Sequence, residues 1–266
     1  MNVVQEKIKQ CILDGGTSLY INNLFLEKLP SNLPSTLRQL YCYGNRLKYI
    51  PTNLPSSLQI LDCSRNYLEE LPSNLSHMIP SLLVLDCSHN LLKQLPSNLP
   101  ISLKFLDCTK NYLEELPLHL PDSIIELNCS SNKICQLPYL PTYLEYFQCF
   151  SNKITTLPQN MPMFIKLLYC NDNLITELPL NLSKSLKIIS CNNKYLHIPK
   201  RYAKQFKLTE TSNYNQKASI IQHIWRVTKY KQIMIKMINN NDNVLSNSFK
   251  SYGDLNIVRL IINYTY

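Results

Sequence analysis

Glycine is scarce, with four residues in 266, and nowhere do they form the Gly-rich loop that cradles phosphate. Long apolar runs are missing as well: no stretch of about 18 apolar residues is present, so no membrane-spanning helix is expected. The opening residues, Met1 to Lys7, lack the charged-then-apolar layout of a secretory leader, and none is expected. The five histidines (His77, His89, His119, His197, His223) share no spacing and have no Ser or Asp partner pattern, which argues against a catalytic triad and a metal site. Ten cysteines are present, yet none falls in the CxxC pairing that zinc sites use.

What is present is unevenly spread. Residues 1–193 carry 15 Lys/Arg and 15 Asp/Glu, whereas Lys194 onward carries 12 and 3, so the whole net charge of +9 lies in the C-terminal part. Such a shift in surface chemistry places a boundary near residue 200. The 16 prolines against four glycines are also unusual, and they are periodic.

The period emerges at Leu37, where Leu37 to Leu47 fits LxxLxCxxNxL, followed by Ile50-Pro51 and Leu54-Pro55. The pattern restarts at Leu58, Leu82, Leu103, Ile124, Leu144, Ile165 and Leu186. An earlier unit aligns through Leu19, Ile21, Leu26 and Leu29-Pro30, with Leu24 where Asn is expected. The step is lengthened once, by a three-residue insertion around His77, and shortened once, by a residue lost near Tyr139. A period held this closely, at about 21 residues, means a stack of similar units.

Each position has a physical reason. Positions 4 and 6 of a unit lie on the same side of a short strand, so Leu and Cys there face one way. A single unit cannot bury its apolar side chains, and stacking joins them into one core. Buried aliphatic residues at roughly 1.5–3 kcal/mol each then offset the ordering entropy. The Asn at position 9 (Asn45, Asn66, Asn90, Asn111, Asn132, Asn152, Asn173) is expected to turn inward and satisfy backbone groups where each strand ends. The Leu-Pro steps favour extended or polyproline-like chain, so the convex side should hold few helices.

The phrase Leu-Pro-Ser-Asn-Leu-Pro, joined to LxxLxCxxNxLxxLP, resembles the LPX class of leucine-rich repeats, over roughly residues 18–199. That class is found in secreted effectors of enteric bacteria, and similar repeats occur in amoebal giant-virus proteins. Cys at position 6 and the Asn/Lys/Ile/Tyr bias of an AT-rich genome both lean to the viral or protist relatives. The resemblance implies an α/β repeat fold: a leucine-rich-repeat solenoid with a parallel concave sheet, an extended convex side and helical caps at both ends. It also implies protein binding, with a host protein as partner if the origin is viral, and no enzyme or cofactor chemistry in the repeats. Some relatives carry a ubiquitin-ligase domain after the repeats. That domain needs a nucleophilic Cys, and none follows Cys191 in this sequence, so no such activity is expected.

The organisation expected is therefore a capping helix in 1–17, about nine repeats in 18–199 and a basic, mainly helical region in 200–266. Val4, Ile8, Cys11 and Ile12 recur at helical spacing and stop at Gly15-Gly16. Eight cysteines (Cys42, Cys63, Cys87, Cys108, Cys129, Cys149, Cys170, Cys191) share the inward position 6 and read as a buried column of reduced thiols. Reduced thiols in that number fit an intracellular, cytoplasmic location.

Positions 3, 5 and 7 face outward on the concave sheet. Position 5 supplies an acidic row, Asp62, Asp86 and Asp107, and positions 3, 5 and 7 together supply Tyr41, Tyr43, Phe105, Tyr146, Phe150 and Tyr169. Three stacked carboxylates repel one another, and a basic partner would relieve that repulsion. The same residues also suit strands and solubility without any partner. Position 8 offers Arg65, His89 and Lys110 as internal neutralisers.

In the basic region, Ile221, Gln222, Trp225, Arg226 and Lys231 resemble an IQ motif, with Val227 replacing the usual Gly. That motif is the helical site for calmodulin-like proteins. The competing reading packs Ile220, Ile221, Ile224 and Trp225 onto the last repeat as a cap. Nothing in the region carries a base- or lipid-reading signature, which speaks against nucleic acid and membrane. The cap reading expects Trp225→Ala to lower stability by about 3–5 kcal/mol. It also expects the Trp225 fluorescence to resist acrylamide. A quenchable Trp225 whose emission shifts on adding calmodulin, with the shift lost in Arg226→Glu, establishes the IQ reading instead.

Overall fold

The structure is a computed structural model that describes residues 3–191 together with Asn193, Lys194 and Leu196. A helix, α1 (Val3–Leu13), is followed by nine three-residue strands: β1 (Ser18–Tyr20), β2 (Gln39–Tyr41), β3 (Ile60–Asp62), β4 (Val84–Asp86), β5 (Phe105–Asp107), β6 (Glu126–Asn128), β7 (Tyr146–Gln148), β8 (Leu167–Tyr169) and β9 (Ile188–Ser190). A single short turn of helix, α2 (Leu75–Met78), interrupts the series between β3 and β4. The nine strands form one parallel sheet in chain order, and position 4 of every unit pairs with position 4 of the next. The fold is thus a parallel-strand solenoid with few helices, as the period implies. No helix among the described residues is long and apolar enough to cross a membrane.

The core is a set of columns running along the stack. Position 4 (Leu40, Leu61, Leu85, Leu106, Leu127, Phe147, Leu168) is fully buried, as is position 6 from Cys42 through Cys170. The three-residue insertion becomes α2, and it adds Ile79 to the core beside Leu75. The unit shortened by one residue leaves Leu137 and Leu140 only partly buried.

Helix α1 lies against β1 and places Val4, Ile8 and Cys11 in the common core. Ile12, expected on that face, is instead 57% exposed. The helix turns only about 100° per residue, so one apolar stripe accommodates Ile8 and Cys11 and swings Ile12 outward. The helix ends where the Gly16 N–H donates to the Cys11 carbonyl at 2.8 Å, with Gly15 and Gly16 both at positive φ. A side chain at Gly16 would press on Thr36 Oγ1 at 2.6 Å.

Each turn of chain leaves its strand through position 8, which is left-handed in every unit from β2 to β8: Gly44, Arg65, His89, Lys110, Ser131, Ser151 and Asp172 have φ between 52° and 67°. At Gly44 a Cβ would collide with the Asn23 side chain, so a larger residue there requires that side chain to move. The other six are not glycine and bear a conformational cost of order 1–2 kcal/mol each. What holds them there is the next residue. Asn111 Nδ2 donates to the carbonyls of Cys108 (3.0 Å) and Cys87 (3.1 Å), and its Oδ1 accepts the Leu92 N–H at 3.0 Å. Asn66, Asn90, Asn132, Asn152 and Asn173 repeat the pattern with their own neighbours. In the ninth unit Lys194 occupies position 9, and Asn193, one residue earlier, takes the role: it donates to the Cys170 and Cys191 carbonyls and accepts from the Asn173 N–H at 2.7 Å.

The thiol column is also tied to the backbone. Sγ of Cys42, Cys63, Cys87 and Cys108 each lies 3.4 Å from the position 5 carbonyl of the following unit. All ten cysteines are free, and only Cys135 is exposed. Burial pushes the column's thiols well up, to about 12 for Cys129 and about 11 for Cys191.

Asn111→Ala strands a buried N–H and two carbonyls, so it should lower stability by about 3–5 kcal/mol in urea unfolding; a loss below about 1 kcal/mol would deny the amide its role. The thiols make the fold alkali-sensitive. Unfolded cysteines ionise near pH 8.5, whereas the folded ones stay neutral to higher pH. Their stabilisation is therefore complete below about pH 8.5 and is lost as pH rises toward the folded values, at about 1.4 kcal/mol per thiol per pH unit. The melting temperature should fall steeply between about pH 9 and 10.5, and iodoacetamide at pH 7.5 should label Cys135 at once and the column only on unfolding. A melting temperature flat across that pH range would contradict the packing account.

Candidate functional site

The concave face is built by the odd positions of nine strands, and its middle is more closed than alternation suggests. Asp86 and Asp107 are only 4% and 8% exposed, while Asp62 is half-buried. Their carboxylates hold the turn that follows each strand. The Ser88 N–H and hydroxyl donate to Asp86 Oδ1 at 3.0 and 2.6 Å, Ser64 does the same to Asp62, and the Thr109 N–H donates to Asp107 Oδ1 at 2.9 Å. In the next unit Asn128 Oδ1 accepts from the Ser130 N–H, so an amide serves as well as a carboxylate. Asn128 Nδ2 in turn reaches toward Asp107 Oδ2 at 3.5 Å.

The sequence pattern exposes this arrangement only in hindsight: Asp-Cys-Ser or Asp-Cys-Thr at positions 5–7 is an Asx-turn signature that a strand-alternation rule overlooks. Arg65 and Lys110, offered by sequence as neutralisers, stand exposed on the left-handed turn.

Aromatic side chains collect toward the two ends of the face. At the first, Tyr41 stacks on Tyr20, with centroids 4.8 Å apart and planes within 2°, and Tyr20 is 49% exposed. Tyr43 is half-buried beside them. Burial pushes the Tyr41 phenol up, and the neighbouring Tyr20 and Asp62 push the same way. Burial likewise raises Tyr43, with Asp62 adding to it and Arg65 opposing. Tyr20 escaped the sequence reading because its unit lacks the Asn landmark; its register with Tyr41 is the signal that finds it.

At the other end Tyr146, Phe150 and Tyr169 are half-buried, and Lys166 Nζ sits 5.9 Å from the Tyr146 ring and 2.7 Å from Glu145. Phe105, also half-buried, stands near the middle. Tyr41 and Tyr169 are six strand steps apart, roughly 29 Å, so these residues form two clusters on one face and not a single pocket. The residues of the IQ-like stretch, Ile221, Gln222, Trp225, Arg226 and Lys231, lie outside the described residues. Among the described residues no group of His, Cys, Asp and Glu has the geometry to hold a metal ion.

No protein-family model matches the chain, and no curated protein does either. Solved structures do. The leucine-rich-repeat domain of a Shigella effector shares 31% identity over 65% of this chain and 76% of that one, with a TM-score of 0.57. YopM from Yersinia enterocolitica shares 29% identity at a TM-score of 0.50, covering 74% of this chain and 52% of YopM. InlJ from Listeria monocytogenes, whose functional domain includes a cysteine ladder, shares 26% identity at a TM-score of 0.61, covering 74% of this chain and 46% of InlJ. With the in-register sheet, the inward asparagine after each strand from β2 to β9 and an effector domain at this identity, the chain belongs to the leucine-rich-repeat proteins.

Proposed function

We propose that this chain is a non-enzymatic binding module that holds a protein partner on its concave face. One observation carries the reading: aromatic rings are displayed at both ends of a face whose middle is closed by its own hydrogen bonds. A tyrosine presents contact area at low entropic cost and keeps a polar tip, which suits a protein surface. Tyr41 and Tyr43 lie within the field of Asp62, and the Asp62, Asp86 and Asp107 row gives the face a negative middle that favours a basic partner surface. Tyr146, Phe150 and Tyr169 supply the second contact, and Phe105 lies between the two clusters. The free thiols of the core support a reducing, cytoplasmic setting for the module.

The chain itself supplies the control for a test, since Asn128 already performs the turn-holding role of the aspartates. Replacing all three (Asp62→Asn, Asp86→Asn, Asp107→Asn) should leave stability within about 1 kcal/mol. It should weaken capture of a partner recovered from lysate by the full chain, and more so at low salt. Tyr41→Ala with Tyr43→Ala should weaken capture at any salt. Capture that survives both changes would move the binding surface off the concave face.

A further inference from the structure

The Leu-Pro side of the solenoid carries a groove of about 940 Å³ that runs across five successive units, from Tyr49 to Pro138. We propose that this groove binds an extended, proline-rich peptide bearing a lysine or arginine at every third residue, a site separate from the concave face.

Three features of the groove define its occupant. The first is charge. Position 13 lines one wall and reads Glu70, Gln94, Glu115, Gln136 in successive units, all exposed. Among the described residues lining the groove the acidic ones are Glu70 and Glu115, and no lysine or arginine belongs to the lining. The second is spacing. Neighbouring units are held one strand step apart, about 4.8 Å. The same spacing persists close to the groove, because the Leu91 N–H bonds to the Leu68 carbonyl and the Tyr112 N–H to the Leu92 carbonyl, both at 2.8 Å, three residues before position 13. Glu70 and Glu115, two units apart, therefore recur at roughly 10 Å. A polyproline-II chain advances about 3.1 Å per residue and repeats its side-chain direction every third residue, at about 9.3 Å. A β-strand repeats its side chains at about 6.8 Å and does not match.

The third feature is the extent and chemistry of the lining. Four steps span about 19 Å, long enough for about six residues of a polyproline-II chain. Pro72, Pro96 and Pro117 belong to the lining and offer no N–H, so these positions cannot donate to a paired strand. A polyproline-II peptide needs no such pairing and leaves its own carbonyls open. The amides of Gln94 and Gln136, alternating with the two carboxylates, are placed to donate to those carbonyls.

The test is fluorescence anisotropy with the full chain and a fluorescein-labelled peptide of five Pro-Pro-Lys triplets. Saturable binding is expected. Glu70→Gln with Glu115→Gln should weaken it at least ten-fold, and Gln94→Lys, which sets a cation in the row, should weaken it comparably. A peptide of the same composition with its lysines grouped at one end should bind at least ten-fold more weakly than the regular one. The triple asparagine variant of the concave face should bind the regular peptide as the parent does. Equal binding of the grouped peptide, undiminished binding by the Glu70/Glu115 variant, or loss of binding in the concave variant would each overturn the proposal.

Discussion

A buried side-chain amide between consecutive turns is the constraint on which this molecule rests. Each ladder asparagine reaches two carbonyls and one N–H that the short strands leave without sheet partners, and those groups belong to two different units. A three-residue strand makes too few backbone bonds to fix a whole repeat by itself. The amide supplies the missing bonds at the one place where the chain must bend, and it does so inside the core, where an unmade bond is expensive. The left-handed residue before it exists to aim that amide inward. Arginine, histidine, lysine, serine and aspartate all tolerate the position because the reward is shared across the interface.

Polar side chains elsewhere in the solenoid work the same way, at lesser depth. Position 5 aspartates close the turn after the strand, and serines before position 1 bridge back to the preceding unit: the single hydroxyl proton of Ser102, and of Ser123, has two of that unit's carbonyls within hydrogen-bonding distance. The result is a sheet face whose middle is already satisfied and whose ends present aromatic rings. On the Leu-Pro side the prolines remove backbone donors from the lining of the groove. One repeat thus generates two unlike faces, one with aromatic rings on a closed sheet and one where acids and amides alternate along a groove.

Much of this was legible in the residues. The period placed every strand, and alternation put leucine and cysteine inside and assigned the asparagines an inward role. Other parts resist a pattern reading for physical reasons. Burial of Asp86 and Asp107 depends on a hydroxyl-bearing residue two positions on, which a two-residue alternation does not register. The left-handed turn is announced by Gly44 and more weakly by His89 and Asp172, since Arg65 and Lys110 carry no local preference for it. The substitution of Asn193 for the expected position shows the same thing from the other direction: geometry selected an amide one residue early where Lys194 could not serve. Ile12 failed because helical spacing narrows a stripe without locating its edge. Tyr20 and the Leu-Pro groove are properties of stacking, visible only when units stand side by side.

The asparagine contacts have a bearing on how such a chain changes over generations. From Asn66 to Asn173 every ladder amide begins its bonds in one turn and finishes them in the neighbour through the same atoms, so two of these turns joined after removal of the one between them still offer each other matching partners. Duplication or excision of a whole unit is therefore nearly invisible to the flanking structure. Gain or loss of a single residue is not: three extra residues had to be folded into α2, and one missing residue left two leucines half-covered. Array length can therefore change in steps of one full turn while the turns that remain keep their bonds to one another.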